Sequence, residues 1–159
     1  MRAFHPLKPI VFDDSDTLIL GSFPSLKSFE LNFYYAHPKN QFWPILSTIY
    51  GKDADDATSR IALLKSAKIA LWDVISSCER INSSDSNLKN IEPNDIGGLL
   101  NSHKELKRIF FTGKTAQRYY IKYFGSLGAP SALLPSPSPA YASMSYEKKL
   151  ELYRAYLTA

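Results

Sequence analysis

Three short stretches of this chain carry side chains that could do chemistry. Residues 33–43 set five aromatics (Phe33, Tyr34, Tyr35, Phe42 and Trp43) around His37, Pro38, Lys39 and Asn40. Asp73 closes an apolar run, and Pro135-Ser136-Pro137-Ser138-Pro139 alternates a rigid residue with a hydroxyl. An amide offers donors and an acceptor together, so Asn40 can orient a water or bind the edge of a heterocycle. Aromatic faces stack any base, worth roughly 1–3 kcal/mol per base. An amide, an imidazole, a carboxylate and aromatics together suit a pocket that stacks a flat ring and reads its edge. Each residue also has a plainer use. Asn40 could cap the helix that follows, His37 could be a hydrogen-bonded loop histidine, Tyr35 could be core, and Asp73 could bond a neighbouring loop.

Positioning these groups is the work of the surrounding elements. Pro38 lacks a backbone donor and biases His37 away from helix, so residues 33–41 read as an ordered loop leading into a helix over 42–50, closed by Gly51. Apolar runs at 17–20, 69–74, 108–112 and 131–134 predict four buried strands. Ser25 caps a short helix to about residue 30, helices follow over 58–66 and 93–102, and Gly113 opens another. On that last helix Ala116, Tyr119, Tyr120 and Tyr123 form one stripe, and Ser145 caps a final helix with Tyr146, Leu150, Tyr153 and Leu157 on one face. Residues 76–90, polar and long for a plain connection, read as functional or mobile.

Strands alternating with helices imply a three-layer α/β/α sandwich around a central four-stranded parallel sheet. Ligands of such sheets sit outside the carboxyl ends of the strands. That rule gathers residues 21–40, 73–87, 112–113 and 135–141 at one edge.

Length and composition bound the rest. With 159 residues, 45% of them hydrophobic, the chain is expected to be one domain, residues 1–159. The first residues lack the apolar core of a signal peptide, and no apolar run approaches membrane-spanning length, so a soluble, intracellular, cytoplasmic protein with no membrane association is expected. Cys78 is the only cysteine and His5, His37 and His103 are scattered, so no disulfide and no metal site are expected. A net charge of +4 is compatible with a polyanionic partner. Lys104, Lys107, Arg108, Lys114, Arg118 and Lys122 read as a solvated face that could touch phosphate. A glycine-rich dinucleotide fingerprint, a phosphate loop and a Gly-x-Ser-x-Gly elbow are all absent, which disfavours nucleotide cofactors and serine-hydrolase chemistry.

Gly21-Ser22-Phe23-Pro24-Ser25, Tyr35-Ala36-His37-Pro38-Lys39-Asn40-Gln41-Phe42-Trp43 and Leu134-Pro135-Ser136-Pro137-Ser138-Pro139-Ala140 resemble the motifs of the uracil-DNA glycosylase superfamily, and most closely its hypoxanthine-DNA (deoxyinosine) glycosylase family. The resemblance runs through nearly the whole chain. It implies a monofunctional enzyme, without cofactor or metal and expected to be monomeric, that binds DNA containing a deaminated base, flips that base out and hydrolyses its N-glycosidic bond. A mismatch-specific uracil glycosylase and an inactive nucleic-acid-binding module on the same fold are the alternatives.

Residue by residue, the resemblance implies Asn40 as the catalytic amide, positioning water or stabilising the departing base. Gly21, Ser22, Phe23, Pro24, Tyr35, His37 and Asp73 are implied around the substrate, with Tyr35 as the stacking platform. Ser136, Pro137, Ser138 and Pro139 are implied against DNA, with Pro139 or Tyr141 near the vacated stack. Phe23 stands where relatives carry a water-holding Asn or Asp, and Ser136 where they carry His or Asn. The Ser83-Ser84-Asp85 run is assigned to shaping the pocket.

Overall fold

Four apolar runs, each too short to bury its faces alone, pair in parallel and are covered on both sides by helices. The computed structural model describes residues 2–80, 88–125 and 129–159. The strands are β2 (Thr17–Gly21), β3 (Ile69–Asp73), β6 (Arg108–Thr112) and β7 (Ser131–Leu134), in the order β3-β2-β6-β7. β2 is central and buried along its whole length. Its side chains alternate between two cores, as the pleat requires. Leu18 and Leu20 pack with Ile109, Phe111, Ala116 and Tyr120 on one face. Ile19 packs with Phe42, Trp43, Leu63, Leu64 and Tyr153 on the other.

Helices α2 (Phe42–Tyr50), α3 (Ala57–Ala67) and α6 (Tyr146–Leu157) therefore cover one face, and α4 (Ile96–Ser102) and α5 (Lys114–Phe124) the other. This is the expected three-layer sandwich. Its helix ends are where the sequence marks them. Asp56, Asp95 and Ser145 each accept a backbone N–H of the first turn, and Gly51 closes α2 with φ +63°. The short helix α1 (Leu26–Leu31) starts at Ser25, whose side chain accepts from Ser28 N–H.

A second sheet was not foreseen. β1 (Arg2–Phe4), β4 (Ile75–Glu79) and β5 (Lys89–Pro93) form a three-stranded antiparallel sheet in the order β1-β4-β5. Part of the segment over 76–90, read as functional or mobile, is thus strand. Its Ile-Ser-Ser-Cys-Glu pattern is no clean alternation, and its partner β1 lies more than 70 residues away. Asn94 holds the bend between β3 and β4, its Nδ2 donating to the carbonyls of Asp73 (2.8 Å) and Ile75 (3.2 Å). The Ser83-Ser84-Asp85 run lies outside the described residues.

Candidate active site

The carboxyl ends of β2, β3, β6 and β7 converge, and the loops leaving them enclose a cavity of about 570 Å³. That volume is within the roughly 300–1,000 Å³ usual for small-molecule sites.

Gly21, at the end of β2, faces its register partner Asp73 at the end of β3. A Cβ at position 21 would lie 2.5 Å from Asp73 Oδ1 and 3.1 Å from the Tyr35 hydroxyl. Only a glycine leaves this floor open. The Asp73 carboxylate is buried, and His5 Nε2 lies 2.8 Å from Oδ2. Among the described residues Oδ1 has no hydrogen-bond partner, and Asp73 lines the cavity. A buried carboxylate with an open oxygen is a strong acceptor waiting for a donor.

Tyr35 forms the next part of the wall. Its backbone is left-handed (φ +51°), a conformation a bulky residue holds only when its surroundings enforce it. Two contacts do so. The ring stacks on Phe42 at 4.0 Å between centroids, and the hydroxyl lies 2.9 Å from Thr112 Oγ1 at the end of β6. A base stacking on Tyr35 would have to use the ring face that Phe42 leaves open. Burial first, and the Asp73 charge second, push the Tyr34 and Tyr35 phenols well above their usual range, so both are neutral.

Asn40 closes a turn, its N–H donating to His37 O at 2.9 Å. Its Oδ1 accepts Phe42 N–H (2.9 Å), the first N–H of α2, from one position ahead of the N-cap Gln41. The same bond decides what the amide offers the cavity it lines. With the oxygen engaged, the –NH2 is the open end, and among the described residues it has no partner. His37 is exposed and outside the cavity lining. Its Nδ1 accepts Lys39 N–H (3.1 Å), so it shapes the turn.

Ser22, Phe23 and Pro24 line the opposite wall. Phe23 is buried, its ring edge-on to His5 (5.9 Å) and capped by the Arg80 guanidinium (4.9 Å from the centroid). The Pro-Ser loop supplies the rim. Ser136 Oγ accepts Ser138 N–H and Ser138 Oγ accepts Ala140 N–H, each at 3.2 Å. Ser136, Pro137, Ser138 and Tyr141 line the cavity, whereas Pro139 is exposed beside it.

The two motif loops are tied together directly. Gln41 N–H donates to Pro137 O (2.9 Å). Lys149 of α6, fully buried, donates to Gln41 Oε1 (2.8 Å) and Ser138 O (3.4 Å), with Tyr141 over its ammonium at 5.2 Å. Burial lowers the Lys149 pKa. Sequence reasoning missed both His5 and Lys149. A histidine 68 residues from its partner gives no spacing signal. Lys149 did carry one, since it sits between Tyr146, Leu150 and Tyr153 on an otherwise apolar face.

The basic group expected on one face is divided. Arg108, at the start of β6, donates to Thr17 Oγ1 (2.9 Å) and Leu157 O (3.3 Å), at the end of the sheet away from the cavity. Lys104 and Lys107 lie at a separate groove with Leu100 and Pro130. Lys114, exposed and next to Gly113, is the member near the rim, because a Cβ at Gly113 would lie 3.4 Å from Ser136 Cβ. No helix among the described residues is long and apolar enough to cross a membrane.

A family model described as the uracil DNA glycosylase superfamily matches residues 9–159. A hypoxanthine DNA glycosylase of Methanosarcina acetivorans is 34% identical over 146 residues, 90% of this chain and 92% of that protein. Another of that name, from Methanosarcina barkeri, is 35% identical over 113 residues, 70% of this chain and 72% of that protein. A solution NMR structure of a candidate uracil DNA glycosylase from Methanosarcina acetivorans superposes with a TM-score of 0.82 at 29% identity, covering 100% of both chains.

Proposed function

This chain belongs to the uracil DNA glycosylase superfamily, and from that premise we propose that it is a DNA repair glycosylase that removes a deaminated base, hypoxanthine before others. The observation that carries the base assignment is the pairing of two open groups in one cavity, the Asn40 –NH2 and the Asp73 Oδ1. Hypoxanthine presents a carbonyl oxygen at C6 and a proton on N1, which need a donor and an acceptor respectively. Adenine presents the reverse, an amino group at C6 and a lone pair on N1. Both contacts would then be mismatched, and a site built to satisfy a hydrogen-bonding edge rejects its inverse strongly.

The reaction is hydrolytic. The base leaves the stack at a cost of a few kcal/mol, least where its pair is already weak. The C1′–N9 bond breaks with its electron pair going to the purine, the sugar passes through an oxocarbenium-like state, and water adds at C1′ to leave an abasic site. The Asn40 donors are suited to the negative charge that develops on the departing purine. With Oδ1 of Asn40 engaged by Phe42 N–H, the leaving-base role is favoured over water positioning. Among the described residues lining the cavity none is a lysine, which supports a water-dependent reaction over strand cleavage through a Schiff base. The protein is proposed to act as a monomer, without metal or cofactor.

The test is incubation with duplex and single-stranded oligonucleotides carrying deoxyinosine, deoxyuridine or deoxyadenosine at one position, followed by alkaline cleavage of abasic sites. Deoxyinosine should be processed and deoxyadenosine left intact. Salt-sensitive DNA binding with no base released from any substrate would establish an inactive binding module. Uracil shares the carbonyl and N–H pattern, so faster release of uracil opposite guanine than of hypoxanthine opposite thymine would establish the mismatch-directed alternative.

A further inference from the structure

The open oxygen of Asp73 has a fixed identity, and the group that fixes it comes from the far N-terminal strand. β1 pairs with β4 through Arg2↔Glu79, Ala3↔Cys78 and Phe4↔Ser77, and His5 N–H donates to Ser76 O at 2.7 Å. That pairing carries the His5 imidazole under the cavity floor, where its side chain is 3% exposed and that of Asp73 6%. His5 Nδ1 accepts Leu7 N–H at 3.1 Å. A nitrogen that accepts cannot carry the proton, so the proton of this ring is on Nε2 and is donated to Asp73 Oδ2 at 2.8 Å. The ring is further held by the edge contact of Phe23 and by Tyr34 at 6.1 Å.

From this we propose that His5 is a positioning residue for base selection. By engaging Asp73 Oδ2 it turns Oδ1 toward the cavity as a pure acceptor, and so makes the site demand a proton on N1 of the flipped base. The inference rests on the edge reading given above. It adds a residue that lies ahead of the span 9–159 matched by the family model, and it makes the small antiparallel sheet part of the site. It also assigns Phe23 a use. In place of a polar group the position carries a ring that braces the histidine.

The experiment compares single-turnover release of hypoxanthine and of 1-methylhypoxanthine, which keeps the C6 carbonyl but has no N1 proton, by wild type, His5→Ala and His5→Gln. Wild type should prefer hypoxanthine by at least about tenfold, the usual discrimination of a hydrogen bond to a charged acceptor. His5→Ala should lose that preference, with hypoxanthine release falling about 10- to 100-fold and 1-methylhypoxanthine release little changed. His5→Gln, whose side-chain amide can still donate to Oδ2, should recover part of it. A purely structural role would lower both substrates together in both variants, and that result overturns the proposal. The wild-type protein gives a second, activity-independent readout. Long-range nitrogen-proton NMR should show the His5 ring as the neutral Nε2–H tautomer, and a proton on Nδ1 overturns the assignment. Wild type releasing both bases equally would remove the edge reading itself and the His5 role with it, while leaving the glycosylase activity standing. Release of neither base would overturn the activity as well.

Discussion

Gly21 and Asp73 face one another across β2 and β3 with no room for a methyl group between them, the 21 position lying 2.5 Å from Asp73 Oδ1 once a Cβ is placed there. The close approach explains why the strand ends on the one residue without a side chain. Gly21→Ala should therefore displace the carboxylate and lower hypoxanthine release by about 100-fold or more, the scale of losing one preorganised polar group. Single-turnover rates with deoxyinosine duplex, together with a thermal melt to show that the variant is folded, check this. Undiminished release would mean that Asp73 Oδ1 is not used.

Asn40 is expected to act through its donors. Asn40→Asp keeps an oxygen for Phe42 N–H and so preserves the start of α2, but it replaces the –NH2 with an acceptor. Asn40→Asp and Asn40→Ala should both reduce release by about 10²–10³-fold, with the Asp variant as stable as wild type to within about 1 kcal/mol. Wild-type rates in the Asp variant would show that an oxygen at this position suffices, and would restore the water-positioning role.

Alkaline pH should unfold the protein through its buried phenols. Tyr34, Tyr35 and Tyr153 are all raised above the ordinary phenol value of 10.0, in each case mainly by burial. Above that value the unfolded chain loses these protons while the folded chain retains them. Stability is thus complete below pH 10 and falls as pH rises past it. Each phenol contributes about 1.4 kcal/mol per pH unit, and the three together about 4. Urea titrations at pH 9, 10 and 11 measure the slope. A flat profile from 9 to 11 would contradict the burial of these hydroxyls.

Lys114 and Lys107 separate DNA contact from ordinary surface charge. Lys114 stands beside Gly113 near the rim, Lys107 in the groove lined by Leu100 and Pro130. Lys114→Ala should weaken binding equally for damaged and undamaged duplex and reduce the salt slope by about one. Lys107→Ala should change neither. Fluorescence anisotropy across a salt series gives both numbers, and equal effects of the two substitutions would mean that the rim is not the phosphate contact.

What the sequence disclosed follows from how far each interaction reaches along the chain. β6 over Arg108–Thr112 and α2 over Phe42–Tyr50 were readable to the residue, because an uninterrupted apolar run and a closing Gly51 are local signals. The meeting of Asn40, Asp73 and Ser136 at one edge was also readable, since parallel topology collects strand ends whatever the loops contain. β4 was not, because Ile75–Glu79 is held by β1 and by the Asn94 side chain, which no short window contains. His5 was hidden for the same reason, whereas Lys149 carried a local signal, a lysine on the apolar face of Tyr146, Leu150 and Tyr153, that went unread. His37, exposed and outside the cavity lining, has its Nδ1 on the N–H of Lys39, the loop-histidine use that the sequence also allowed.

Lys149 reaches Gln41 and Ser138 from the final helix, while His5 reaches Asp73 from the first strand. The cavity is consequently assembled by segments from opposite ends of the described chain. During synthesis the strands and the Asn40 turn emerge long before α6 can fold against them. A nascent chain interrupted before residue 149 would hold every group proposed to touch the base but lack the Lys149 bonds to Gln41 and Ser138, with the Gln41 N–H to Pro137 O bond as the remaining tie between its two motif loops.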